Sequence, residues 1–249
     1  MCMFSIGKKL NIVVVFYVFA HICFSNLEAM KMMKEDKTIY INNEPYKGEY
    51  TFKNHNLNIN NATIDKNIFD CNGIFAKHST FDARVIVSSG KISTHHCIFH
   101  HAPIIEACDF FSLYNSKILN TSNTMSDEMQ ISVRATNKSN DSIISINIEN
   151  TTIPRRIPLK IFLSDNAALF FCDQNIYNDI FITIAPEKKL NITFARCTIK
   201  GNVYIYQEEA NEYTPGCAAV KLKYSTVSGK FHFWGYKSGH YSIEKLVRN

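Results

Sequence analysis

The sequence predicts an all-β chain wound as a single-stranded, right-handed parallel β-helix, a β-solenoid of about eight to nine coils with terminal caps. Three observations carry that expectation. The composition favours strands and tight turns, an apolar frame recurs along the chain, and several columns of that frame agree in residue type.

The 249 residues suit one sizeable domain, and an apolar fraction of 46% is enough to bury a core. Ile and Asn are abundant, Ser and Thr are plentiful, and Gly (9) and Pro (6) are few. Ile, Val, Thr and Phe fit pleated, half-buried surfaces. Asn and Ser fit turns. The net charge is +5, and no run of five or six like charges occurs. Nucleic-acid binding wants a basic stripe, so that partner is not expected.

The frame is clearest in four segments: Phe81 to Val87, Ile176 to Ile182, Ile199 to Ile205 and Val227 to Phe233. Each has an apolar anchor, three mostly polar residues, then an apolar-x-apolar strand. The eight anchors are Ile64, Phe81, Phe99, Ile118, Ile153, Ile176, Ile199 and Val227. Seven residues before them stand Leu57, Ile74, Ile92, Phe111, Ile146, Leu169, Ile192 and Val220, all apolar. Five before stand Ile59, Ala76, Thr94, Leu113, Ile148, Phe171, Phe194 and Leu222. Two before stand Ala62, Ser79, Cys97, Ser116, Thr151, Gln174, Cys197 and Ser225, seven of which are small.

Period-two alternation puts the apolar columns inside, and the small residue fits a crowded corner before the anchor. One coil cannot bury its own apolar face, whereas a stack can. Helices would space their apolar residues by three and four. The anchors lie 17, 18, 19, 35, 23, 23 and 28 residues apart. The 35-residue step is expected to hide an irregular coil around Ile131 and Val133, with an outward loop from Asn137 to Asp141. The last step carries an insertion near Gln207 to Pro215.

The organisation expected is a signal peptide over 1–25, an N-terminal cap over 26–54, the solenoid over 55–235 and a C-terminal cap or tail over 236–249. Lys8 and Lys9 precede an apolar stretch from Leu10 to Phe24, and Cys23-Phe24-Ser25 offers small residues for cleavage, with Leu27-Glu28-Ala29 as a second choice. A spanning helix needs about 20 apolar residues, more than this stretch supplies. The chain is therefore expected to be secreted or periplasmic, with no membrane span after cleavage.

The inward columns and coil length resemble the parallel β-helix superfamily that includes the pectin-lyase-like proteins, at the level of fold pattern. The resemblance covers residues 55–235 and implies the solenoid architecture. Polysaccharide lyases and hydrolases, adhesins and structural polymers share that architecture, so it does not choose a function.

Among candidate sites, His78 and His96 both fall three residues before an anchor. The frame stacks them on neighbouring coils about 4.8 Å apart, close enough to share a Zn²⁺ or Cu²⁺ ion. His95, His100 and His101 lie nearby. The same column continues as Asn61, Asn115, Asn150, Asp173, Arg196 and Tyr224, which reads equally as a solvated polar row. Six cysteines follow the leader: Cys71, Cys97, Cys108, Cys172, Cys197 and Cys217. An even count in an exported chain favours disulfides. The coil frame separates the like-placed pairs too far, so most are expected to be buried fillers. Asp82, Asp173 and Asp179 face outward without sharing a column, and Arg155, Arg156 and Arg196 could meet acidic sugars. Asn-x-Ser/Thr sequences begin at Asn61, Asn120, Asn137, Asn140, Asn150 and Asn191.

No catalytic residue and no cofactor is assigned. The expected function is a non-catalytic exported solenoid that binds or scaffolds a glycan or protein partner on an outer face. A polysaccharide lyase or glycosidase with a degenerate signature is the rival, which a groove lined by clustered Asp, Arg and Lys would favour. A self-assembling coat or filament unit, which would need uncapped ends, is the third.

Overall fold

The computed structural model describes residues 37–43, 52, 55–119, 128–136, 143–208, 216–236 and 239–247. The chain divides into two units, Met1–Lys37 and Thr38–Asn249. The proposed leader and most of the N-terminal cap lie outside the described residues.

The described residues are all β, with no helix among them. The strands form a ten-stranded sheet, an eight-stranded sheet, and two ladders of two-residue strands with four and three members. Every strand pairing whose register is resolved is parallel; one of them, between Ile68–Cys71 and Val85–Ser88, shifts register. The chain visits the long sheet, a corner ladder and the shorter sheet in turn. His55–Asn60, Thr63–Ile64 and Ile68–Cys71 make one such passage, and Gly73–Lys77, Thr80–Phe81 and Val85–Ser88 the next. Long parallel sheets stacked in this order are consistent with a β-solenoid.

The apolar frame is the register of the long sheet. Leu57 pairs with Ile74, Ile74 with Ile92, Ile92 with Phe111, Phe111 with Ile146, Ile146 with Leu169, Leu169 with Ile192, and Ile192 with Val220. All three inward columns before the anchors are buried, and six of the eight anchors are too. Ile153 and Val227 are partly buried and packed against the same core. In places a column stacks like on like. The Phe81 and Phe99 rings lie 4.9 Å apart, and so do those of Phe171 and Phe194.

The 35-residue step holds no extra strand of the long sheet, because Phe111 pairs directly with Ile146. Ile131 and Val133 are buried, but they lie on Met129–Arg134, a strand of the shorter sheet. The added length falls in residues 120–127 and 137–142, which lie outside the described set and include the loop expected at Asn137 to Asp141.

The corner ladder weakens at this step for a chemical reason. At five other corners the residue after an anchor donates its N–H to the preceding anchor's carbonyl, as Asp82 does to Ile64, His100 to Phe81 and Lys200 to Ile176. Pro154 holds that position after Ile153, and proline has no N–H. Thr152 keeps only an isolated bridge to Lys117, and an apolar void of about 20 Å³ lies beside Ile153.

The corner itself needs a left-handed residue. Asn61, His78, His96, Asn115, Asn150, Asp173, Arg196 and Tyr224 all have φ between 44° and 53°. The following small residue closes the corner by hydrogen bonding. Ser79 Oγ donates to the Lys77 carbonyl (2.8 Å) and accepts the Ala62 N–H from the preceding pass (3.2 Å). Ser116 does the same with Tyr114 and Cys97, and Ser225 with Lys223 and Cys197. The column is therefore small for space and hydroxylic for satisfaction of buried backbone. At the opposite corner Gly201 and Gly229 stack so tightly that a Cβ on Gly229 would sit 1.8 Å from the Gly201 carbonyl oxygen.

Candidate functional site

The left-handed corner column presents its side chains to solvent, where they satisfy one another in pairs. Asn61 Nδ2 donates to Asn43 Oδ1 (3.4 Å), and Asn150 Nδ2 to Asn115 Oδ1 (2.5 Å). The Arg196 guanidinium grips Asp173 through Nε (2.7 Å) and a terminal nitrogen (2.6 Å). His78 and His96 do come together, with ring centroids 4.9 Å apart and planes 16° from parallel. Imidazole lone pairs lie in the ring plane, so near-parallel stacked rings do not aim at one point. Tyr114 meets the His96 ring edge-on.

The other histidines diverge from that pair. His95 faces outward on the long sheet, its Nε2 3.0 Å from Ser93 Oγ. Burial first, then positive charge on His96 and Lys77, holds its pKa below the ordinary histidine value. His100 turns to the Asp82 carboxylate at the next corner.

One group of three metal-ligand side chains lies together among the described residues: Glu149, Cys172 and Asp173, with ligand atoms within 4.8 Å of one another. It already holds a cation, because an Arg196 terminal nitrogen lies 3.0 Å from Cys172 Sγ as well as on Asp173. Burial, reinforced by the Asp173 carboxylate, pushes the Cys172 thiol up to about 11, which keeps it protonated at neutral pH. All six cysteines after Ser25 are free, and four are buried. Burial likewise lifts Cys97 and Cys197 to about 11.

The three outward aspartates each have a structural partner. Asp82 meets His100, Asp173 meets Arg196, and Asp179 Oδ1 accepts the Asn202 N–H at 2.7 Å. Arg155 lies 4.2 Å over the Tyr177 ring, with the Lys200 ammonium 5.0 Å from it.

The feature that the site expectations missed is on the outer face of the shorter sheet. Two outward columns there are aromatic. Phe181, Tyr204 and His232 stack with centroids 4.9 and 4.8 Å apart. Beside them the pairing register aligns Phe162, Thr183, Tyr206 and Trp234. Trp234 is 52% exposed and stacks 5.5 Å from Tyr204. These columns run into a groove of about 380 Å³ lined by Gln130, Ser132, Arg134, Phe162, Ser164, Thr183 and Glu208. Glu106 lies 3.8 Å from Arg134 at its margin. The signal was present in the sequence, since Phe181, Tyr204 and His232 each stand five residues after an anchor, and Tyr206 and Trp234 seven after.

Comparison of the chain with protein-family models, with curated proteins and with solved structures finds no match.

Proposed function

We propose that the chain is a right-handed parallel β-helix of about eight to nine coils, allied in fold to the pectin-lyase-like superfamily, that is exported and binds a glycan without cleaving it. Residues 1–25 act as the leader and 26–54 cover the first end, while 236–249 carry Tyr241–Leu246, the last strand of the long sheet. The observation that carries the reading is the aromatic outer face of the shorter sheet, with Tyr206 and Trp234 exposed beside a groove of mixed polar groups. Sugars present both C–H faces and hydroxyls, and binding sites for them combine aromatic surface with a few placed polar groups. Gln130, Ser132, Ser164 and Thr183 supply neutral donors and acceptors, and Arg134 and Glu208 add one charge of each sign.

A catalytic role finds less support. Glycoside hydrolysis needs two carboxyls facing one bond, and the outward Asp82, Asp173 and Asp179 are each engaged at a different corner. His78 and His96 would take a metal only after their rings turned out of the stack.

The test is binding of the purified chain to a panel of insoluble polysaccharides and a glycan array, beside Tyr206→Ala/Trp234→Ala. At least one glycan should bind, and the double variant should bind it about tenfold or more weakly, a loss of about 1.4 kcal/mol. Binding that ignores the substitutions, or no binding anywhere on the panel, would overturn the reading.

A further inference from the structure

Among the described residues, the stack ends at its last strand, Tyr241–Leu246. Tyr241–Leu246 pairs on one side with Cys217–Lys223, and no described strand pairs with its other side. Every residue of it is exposed. Tyr241 and Ile243 continue the inward columns of Ala218 and Val220, yet they are 44% and 48% exposed, with no described strand beyond them. Tyr241 stacks 4.4 Å from Phe233, which extends the bare apolar surface across the end. Lys245 stands in the column that Leu222 and Phe194 fill below it.

Ala218 donates its N–H to the His240 carbonyl, and Tyr224 to the Leu246 carbonyl. Even-numbered residues of the last strand therefore turn their backbone groups inward to the sheet. Alternation leaves the N–H and C=O groups of Tyr241, Ile243 and Lys245 pointing out from the edge. Such an edge is a template for another strand.

We propose that this edge pairs with a second copy of itself, antiparallel across a two-fold axis, with Ile243 opposite Ile243 of the other copy. The odd-numbered edge groups must face each other to bond, which permits only registers that move in steps of two. With Ile243 on the axis, Tyr241 meets Lys245 of the other copy, and each facing pair exchanges both its backbone bonds. Lys245 then lies against an aromatic ring, a favourable cation–π arrangement. Outward, Ser242 faces Glu244, which Lys221 already partners within its own chain. Moving the register one step toward the C-terminus sets Glu244 opposite Glu244, and the next sets Lys245 opposite Lys245, both penalised by like charge, while a step toward the N-terminus sets Ser242 opposite Ser242 and gives up the Tyr241–Lys245 pairing. A head-to-tail stack is disfavoured by the same lysine. Lys245 stands two residues before Val247, the next corner position after Tyr224. Ile41 stands two before Asn43, its counterpart at the first corner, so such a stack would press the ammonium onto the buried Ile41 column. The pairing goes beyond the glycan reading and uses a different surface.

Sedimentation velocity of the full chain should show a monomer–dimer equilibrium. Tyr241→Lys, which places two lysines opposite each other, should weaken it at least tenfold, and Tyr241→Glu should retain or strengthen it. In a Cys108→Ser/Cys217→Ser background, Ile243→Cys should form a disulfide-linked dimer on mild oxidation, because paired Cα atoms on the axis lie about 5.5 Å apart. Ser242→Cys should not. A chain that stays monomeric at every concentration, mass that keeps growing past the dimer, a dimer indifferent to Tyr241→Lys, or cross-linking at position 242 rather than 243 would each overturn the proposal.

Discussion

Replacing Ile199 by Asp puts a carboxyl at the centre of the core. Ile199 is fully buried, stacked between Ile176 and Val227 in the corner ladder. Loss of the buried isoleucine side chain costs about 1.5–3 kcal/mol. The incoming carboxyl finds only apolar side chains in its column, so the neutral form is favoured. Burial raises such a group by about 3–5 pH units, and each unit is about 1.4 kcal/mol of stability lost once the pH lies above the folded-state pKa. At neutral pH only the roughly 3 units between the unfolded-state value of about 3.9 and pH 7 count, about 4 kcal/mol, so the total is about 5–7 kcal/mol, comparable to the whole stability of an ordinary domain. The sign follows from the raised pKa. The deficit is smallest below the unfolded-state value of about 3.9 and grows as pH rises toward the folded value. Denaturant unfolding of wild type, Ile199→Asp and Ile199→Asn across about pH 3 to 8 measures it. Ile199→Asp should match Ile199→Asn at the acid end and fall away above it. The same substitution at the partly buried Val227, in the last pass, should cost less than half as much. A deficit at Ile199 that does not change with pH, or that Val227→Asp equals, would refute the placement of the anchor in a dry core.

At Asn115, φ is 48°, a conformation that costs a β-branched residue about 1–2 kcal/mol, so Asn115→Val should lower stability by that amount or more while Asn115→Gly stays near wild type in the same unfolding assay. Burial raises the Asp165 carboxyl, but the Lys188 ammonium at 2.9 Å and the Asn166 N–H at 2.7 Å outweigh it and leave the pKa below the ordinary value. The stability that this carboxylate contributes is present above the unfolded-state value of about 3.9 and disappears as pH falls through the folded one, so the gap between wild type and Asp165→Asn should close in acid; a gap that widened there would reverse the assignment. Calorimetric titration with Zn²⁺ should give equal heats for wild type and His78→Ala/His96→Ala, since the stacked rings do not converge; heat lost only in the variant would establish the metal site. Gly201→Ala would drive a Cβ to within 1.9 Å of the Asn178 carbonyl oxygen, and thermal melting should show it strongly destabilised.

The sheet register was legible in the sequence because apolar burial repeats on the pairing columns themselves. Leu57 through Val220 could be aligned by offset alone, and the structure pairs them as aligned. The two-residue corner ladders were not legible, since so short a strand leaves no alternation to read. Nor was the role of Ser79, Ser116 and Ser225. Small size predicts that they fit, whereas their hydrogen bonds depend on the left-handed residue just before them, which Asn61, Asn115, Asn150 and Asp173 signal but His78, His96, Arg196 and Tyr224 do not. His78 and His96 were brought together as the frame required, but the ring orientation that decides their chemistry is a rotamer, not a register. The aromatic columns on the shorter sheet were less legible than the core, because outward positions face solvent and no burial constrains their residue type. Tyr206 and Trp234 share one offset from their anchors, but Phe162 stands nine after Ile153 and Thr183 interrupts the column, so its aromatic character is only partly periodic.

The direct pairing of Phe111 with Ile146 across 35 residues has a bearing on how such a chain can change. Closure of a flexible loop grows costlier only as the logarithm of its length, by about 0.6 kcal/mol for each doubling. Corners of this molecule are thus natural ports for added sequence: a segment spliced between residues 119 and 128 leaves every rung above and below in place. New surface can be acquired there without renegotiating the interior, and the spacing between anchors, from 17 to 35 residues, records how widely that freedom has already been used.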